Sequence, residues 1–417
     1  MTKAKTLLVG WDAADWQVIN PLLEKGEMPA LQALIRQGVA GNIATLQPVL
    51  SPLLWTSIAT GRPAHEHGIL SFVEADGTGQ LQPVRAEGRQ VKTFWNILEE
   101  AQLRCAVVNW WPSYPCERSL GPQVSDRYAS FPPEKSLPAG VIQAEGLEAL
   151  LEELRLGPEE LTPAHLSPFF PEIPPEELAD DPVVQKATEI LARCATVHNA
   201  ITLILEEGEW DVAAVYYEAL DHFSHLAMKY HPPRLAAVPE SAYQRYREVV
   251  SAAYRFHDMM LERLLELAGP ECRVLLVSDH GFQSGPLRSA ELPDLPAAPA
   301  LEHRPYGVVV AAGEDLKAGT ALYGASLLDI LPTLLHWHHL PVGEDLPGRV
   351  WEEIWRQPRK VSRIPSWEAT GPRPEFLPSA AGQEGSQRIL EQLEALGYLQ
   401  PGSTAAQSRV AEERRYN

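Results

Sequence analysis

The stretch "LLVSDHGF", residues 275–282, starts as an aliphatic run and ends abruptly in Asp279, His280 and Gly281. It reads as a buried strand that delivers polar groups at its tip. An acid and an imidazole are costly to bury there unless they have partners. If the pair serves a metal, the missing ligands must lie elsewhere in the chain, at the ends of other strands.

Similar runs occur on both sides of it. "TLLVG" near the N-terminus, "GNIATLQPV", "CAVVNWW", "DVAAVYY" and "YGVVVAAG" read as strands. Between them lie helical patterns. One runs through Leu22, Leu23, Leu31, Leu34 and Ile35 to Gly38, and others are "SPLLWTSIATG", "VVQKATEILARCATVHNAITLILEEG", "SAYQRYREVVSAAYRFHDMMLERLLELAG" and "GASLLDILPTLLHWHHL". Strands that are nearly all apolar, alternating with helices, predict an α/β fold: a mostly parallel central sheet flanked by helices on both faces. Residues 131–185 are dense in proline and acids, with short helical patterns only, and read as a partly helical insertion within a domain spanning 1–365. The remaining 366–417 form a tail with one helix in "SQRILEQLEALGYL" and a charged, mobile end.

Composition narrows the class. The 417 residues are 45% hydrophobic, enough for a large core, and carry a net charge of −20. That charge argues against stable nucleic-acid binding, which works by neutralising phosphates with Lys and Arg. A small phosphorylated substrate is compatible with it, because bound cations supply a local positive field. No apolar stretch is long enough to span a membrane or serve as a signal peptide. Cys105, Cys116, Cys194 and Cys272 form no CxxC pair, which points to reduced thiols and a cytoplasmic protein.

In a parallel sheet, ligand sites form beyond the carboxyl ends of the strands. Asp12 follows "LLVGW", and Asp221 follows "VAAVYYEAL" with His225 four residues on. Asp279 and His280 follow "VLLVS", and His303 shortly precedes "YGVVV". Taken singly, Asp12 reads as a helix cap, Asp221 and His225 as a solvated helix start, and His303 as a surface histidine. Together, three aspartates and three histidines at strand borders suit a divalent metal, zinc first, with manganese or magnesium as alternatives. Ser51, followed by Pro52, reads as an N-cap before a first-position proline. The same place aims its hydroxyl and free amides at one spot, where a phosphate could sit and the serine could attack it. Thr56 and Ser57 lie deeper in the helix and point sideways.

Five motifs, "GWDAAD", "SPLLWTSIATGRPAHEHGI", "DHFSH", "VSDHGF" and "HRPYG", come in the order found in the alkaline phosphatase superfamily. Over residues 5 to 355 the chain most resembles the type I phosphodiesterase/nucleotide pyrophosphatase branch. The resemblance implies an alkaline-phosphatase-like fold and two divalent metals. One would be held by Asp221, His225 and His303, the other by Asp12, Asp279 and His280, with the Ser51 oxygen bridging toward phosphorus. It also implies two in-line displacements on a small nucleotide-like substrate, through a phosphoseryl intermediate that water then hydrolyses.

Two features depart from that branch. Its well-known pyrophosphatases use threonine where this chain has Ser51, and serine belongs to the superfamily's monoesterases and phosphomutases. They also carry an asparagine soon after the nucleophile helix, and "HGILSFVEADG" has none. Asn109 is a candidate substitute, set against its ordinary reading as a turn after a strand. A phosphomonoesterase or phosphotransferase is therefore the alternative, and a silent scaffold a further one. The C/S-x-P-x-R pattern of sulfatases is missing at Ser51. The insertion, with Phe169 and Phe170, is placed to roof the site and select the leaving group.

Overall fold

Alternation along the central strands fills two separate cores. In Thr6–Trp11 every residue is buried. Leu7, Val9 and Trp11 enter one core and Leu8 the other. The strand Val212–Tyr217 behaves alike, with Ala213, Val215 and Tyr217 on the first side and Val212, Ala214 and Tyr216 on the second. Both faces of these strands are covered, which is why their sequences are continuous apolar runs and not alternating ones.

The computed structural model describes residues 5–76, 78–293, 298–379 and 383–399. Nine strands make the main sheet: β1 (Thr6–Trp11), β2 (Val39–Ala44), β3 (Cys105–Val108), β4 (Gln123–Val124), β5 (Ile142–Gln143), β6 (Val212–Tyr217), β7 (Arg273–Val277), β8 (Tyr306–Ala312) and β9 (Thr320–Ser326). Their order is β9-β2-β8-β7-β1-β6-β3-β4-β5. Both neighbours of β1 run parallel to it, with Leu7 opposite Ala213 and Val274. β8 is antiparallel to β2 and β7, and β5 to β4; the other pairs are parallel. The expected mostly parallel, helix-flanked sheet is what the chain forms.

Helices α1 (Trp16–Glu24), α2 (Pro29–Gln37), α5 (Pro182–Glu207), α6 (Ala219–Ala227) and α7 (Val249–Ala268) pack in the first core. Helices α3 (Ser51–Thr60), α4 (Phe94–Glu100) and α8 (Ile330–Trp337) pack in the second. A last helix, α9 (Gln383–Ala395), lies in the tail, and its Leu393 joins the second core. The expected charged end of the tail lies outside the described residues. Among the described residues, no helix is long and apolar enough to cross a membrane.

Three sequence expectations change. The first helical pattern is two helices, divided near Gly26, whose φ of +72° suits glycine. The pattern over 241–269 breaks between Tyr246 and Val249. Residues 324–326, expected in a helix, belong to β9, where Ala325 pairs with Ile43. Within 131–185 the helices are short, and the guanidinium of Arg155 donates to the carbonyls of Pro132, Pro133 and Lys135 at 2.6–3.1 Å. One buried cation thus gathers a proline-rich stretch that has few amides of its own to pair.

Candidate metal centre

β1 and β7 are parallel neighbours in register, Gly10 opposite Val277, so their carboxyl ends open side by side. Asp12 leaves β1 directly, and Asp279 and His280 follow β7 after Ser278. His280 Nε2 comes within 3.2 Å of Asp12 Oδ1 and 3.5 Å of Asp279 Oδ2. Its Nδ1 donates to the Gly281 carbonyl at 3.0 Å, which leaves the Nε2 lone pair facing the carboxylates. The Tyr216 hydroxyl, from β6, donates to the second Asp12 oxygen.

A second group forms beside the first. α6 starts just past the end of β6 and carries Asp221 and His225 one turn apart, so both face the same way. His303 comes from a two-residue strand, His303–Arg304, paired with Gly281–Phe282. Asp221 Oδ1 is 3.3 Å from the Nε2 of each histidine, and the two Nε2 atoms are 3.2 Å apart. The His280 and His303 rings stack at 3.9 Å, so the two groups share a wall. All six residues expected from the sequence are therefore brought together, three and three.

The electrostatics call for cations. Asp12 Oδ1, Asp221 Oδ1, Asp279 Oδ2 and His280 Nε2 are buried without a hydrogen-bond partner among the described residues. Orphans of this kind are costly unless something positive satisfies them. Burial opposes protonation of His225, but Asp221 and Glu302 overcome it and raise the imidazole to about 9. Burial likewise opposes charge on His280, yet Asp279 and Asp12 raise it to about 10. Burial and the adjacent Asp12 push the Asp279 carboxyl well up. Without a metal, protons supply the positive charge these carboxylates need. Carboxylate and imidazole donors without thiolate fit a divalent ion of the zinc or manganese kind in each group.

Other side chains hold these six in place, and sequence reasoning did not single them out. Glu302 accepts from His225 Nδ1 at 2.7 Å, the carboxylate–histidine arrangement that fixes a ligand's tautomer and ring plane. Asp15 accepts both contacts of Arg304 at 2.7 Å, the Phe282 amide at 3.1 Å and the Gln17 amide at 2.7 Å. It thereby ties the His303 hairpin to the start of α1. Gly281 is needed at that crossing, since a Cβ there would lie 2.2 Å from Asp15 Oδ2 and 2.5 Å from the Tyr306 carbonyl oxygen. The only sequence hints were adjacency: Glu302 precedes His303, and Asp15 closes "GWDAAD".

Ser51 departs from its expected place. Leu50 is the N-cap, with φ −131° and ψ 118°, and Ser51 is the first helical residue, followed by Pro52 at the second position. Its hydroxyl is therefore not used as a cap. The residue is 4% exposed and makes no side-chain hydrogen bond among the described residues. Trp55 fastens α3 across the exits of β1 and β6: a Cβ on Gly10 would lie 2.5 Å from its ring, which sits 4.6 Å from Tyr216. Thr56 and Ser57 are already engaged, Thr56 with the Pro52 carbonyl at 2.6 Å and Ser57 with His67 at 3.0 Å. Asn109 adopts φ +59° and donates to the Tyr216 carbonyl at 3.0 Å, the turn role. Phe169 and Phe170 are core residues and not a roof, and Phe169 stacks at 5.2 Å on Phe223 of α6.

The architecture is an alkaline-phosphatase-like α/β fold. Residues 6–315 match the type I phosphodiesterase / nucleotide pyrophosphatase family, and the chain belongs to it. Among solved structures, a "putative sulfatase" from Bacteroides thetaiotaomicron is similar over 87% of this chain and 76% of its own, at 12% identity and a TM-score of 0.53. Human ectonucleotide pyrophosphatase / phosphodiesterase 5 matches over 85% of this chain and all of its own, at 12% identity and a TM-score of 0.47. At 12% identity the first of these likenesses speaks for the fold alone. No curated protein matches the sequence significantly.

Proposed function

We propose that this protein hydrolyses phosphoric diesters or pyrophosphates of a small, nucleotide-like kind, with Ser51 as nucleophile and two divalent cations, zinc first. The observation that carries the reading is the pair of three-residue groups whose orphaned donor atoms converge at adjacent strand ends. Asp221, His225 and His303 would hold one ion, and Asp12, Asp279 and His280 the other. When bound, the ions would neutralise the phosphoryl oxygens and favour the ionised form of the attacking hydroxyl.

The chain's own part is positioning. Ser51 Oγ, unused by the helix cap, attacks phosphorus to give a phosphoserine as the ester oxygen leaves in line. Water then attacks the phosphoserine from the same side the leaving group vacated, which restores the hydroxyl. Glu302 holds the His225 imidazole and Asp15, through Arg304, the hairpin that carries His303, so that the nitrogens need not reorganise during either step. A groove of about 790 Å³ reaches His225 and Glu302 past Phe131, Pro133, Lys186 and Arg193. Its wall mixes apolar side chains with both acids and cations, among them Glu189 paired with Lys186, and leaves room for an organic leaving group.

Serine in place of threonine, and the missing asparagine in 67–77, support the monoesterase or phosphotransferase alternative. Nitrophenol release from bis-p-nitrophenyl phosphate and from p-nitrophenyl phosphate, after zinc reconstitution, tests the choice. Faster diester turnover supports the proposal, and faster monoester turnover the alternative. Failure on both substrates, with two metals bound, favours the scaffold reading.

A further inference from the structure

Tyr398, from the tail beyond the family match, reaches the Asp221 group. Its hydroxyl oxygen lies 3.3 Å from His225 Nε2 and 3.4 Å from His303 Nε2. Several contacts hold it there. Gly397, at φ +84°, turns the chain at the end of α9, and the Tyr398 amide donates to the Leu393 carbonyl at 2.8 Å. The Tyr398 ring packs on Phe72 at 4.4 Å, while Arg193 donates to Gln392 and Arg127 donates to Ser386 at 3.3 Å. The tyrosine is 8% exposed.

The distances carry a geometry. Asp221 Oδ1 and the two Nε2 atoms stand 3.2–3.3 Å from one another, and the phenolic oxygen stands 3.3–3.4 Å from both nitrogens. A point about 2.0 Å from each of those three donors, the usual bond length of zinc to nitrogen or oxygen, exists for a triangle of this size, and two donors of one tetrahedral ion stand about as far apart as the phenolic oxygen stands from each nitrogen. The phenolic oxygen approaches both imidazoles nearly equally, as a donor to a shared cation would. Catalytic zinc sites keep their fourth position for water or substrate. Here a side chain of the tail stands against two of the three donors, at the spacing donors of one ion have.

We propose that the phenolic oxygen of Tyr398 is the fourth donor to the ion held by Asp221, His225 and His303. The tail then closes the resting site, and a substrate oxygen would enter by displacing the phenolate, which takes a proton back from solvent. On coordination the phenolic O–H bond breaks, its proton goes to solvent, and the oxygen donates a lone pair to the ion; nothing is oxidised or reduced. The inference rests on the metal reading of the site proposed above.

The test is a zinc titration of the full chain, with zinc uptake and the ultraviolet difference spectrum of tyrosinate both recorded. The wild type should take up two zinc ions and form one tyrosinate per chain. Y398F should still take up zinc without forming tyrosinate. Y216F, which removes the tyrosine bonded to Asp12, should keep the signal. Zinc uptake by the wild type with no tyrosinate, or an equal signal from Y398F, would overturn the Tyr398 assignment and leave the metal site standing. No zinc uptake at all would overturn the metal reading itself, and this inference with it.

Discussion

Ser51→Ala separates chemistry from structure more cleanly than any other single change. The serine hydroxyl caps nothing, because Leu50 holds the cap position, and it makes no hydrogen bond among the described residues. Alanine is also the best helix former. The stability change should stay within about 0.5 kcal/mol, a melting shift of roughly 2 °C or less for a chain of this size. Loss of a covalent nucleophile, by contrast, costs on the order of 10³- to 10⁶-fold in turnover, or about 4–8 kcal/mol of transition-state stabilisation. The catalytic effect therefore exceeds the structural one about tenfold in free energy. The assay is nitrophenol release from bis-p-nitrophenyl phosphate by zinc-reconstituted protein, with melting followed in parallel. Ser51→Thr should keep measurable activity, since it retains a hydroxyl at the same place. Turnover by Ser51→Ala within tenfold of wild type would refute the assignment. So would a dead Thr56→Ala, since the Thr56 hydroxyl is engaged with the Pro52 carbonyl.

The two groups should empty separately. His225→Ala or His303→Ala should lower bound metal from two equivalents toward one, and so should Asp12→Ala or Asp279→Ala, as read by elemental analysis; a normal metal content in His303→Ala would remove that residue from the set. Glu302→Gln, which leaves His225 without its carboxylate partner, should weaken metal binding roughly 10- to 100-fold in a chelator competition, and an unchanged affinity would make that contact incidental. His67 provides a pH test at a residue outside both groups. Burial lowers its pKa to about 3, and its ring accepts from the Ile69 amide while bonding Ser57, so the folded protein holds it neutral. Its contribution is complete above the unfolded pKa near 6.5 and is lost as pH falls toward 3, at about 1.4 kcal/mol per pH unit. The drop in urea-measured stability between pH 7 and pH 5 should thus be smaller in His67→Gln by about 2 kcal/mol; equal drops would show that His67 is protonated in the fold.

Much of the site was legible because it obeys local rules. β1, β6 and β7 are buried on both faces, so each appears as an unbroken apolar run whose end is plain to see. The residues just beyond those ends, Asp12, Asp279 and His280, could be picked out for that reason alone. Asp221 and His225 share a face because helical spacing puts them there. Short-range turn chemistry was harder to read. Ser51 passed for a cap because serine before proline is a good cap, while the backbone placed the extended φ,ψ one residue earlier, at Leu50. The end of β9, residues 324–326, was taken into a helix because its exposed residues and Gly324, at φ +65°, give no strand-like alternation.

What only the tertiary structure decided are the contacts between segments far apart in the chain. Glu302 meets His225 across 77 residues, Asp15 holds Arg304 across 289, and Tyr398 reaches His225 across 173. None leaves a periodic trace, since a side chain's partner beyond the next turn is set by which strand ends lie side by side. That order, with β1 between β6 and β7, arises from covering both faces of the central strands at once and cannot be read from any one segment. Sequence thus nominated the six acids and imidazoles, and its family resemblance divided them three and three; the packing of the sheet brought each three together and set a tyrosine from the tail against one group.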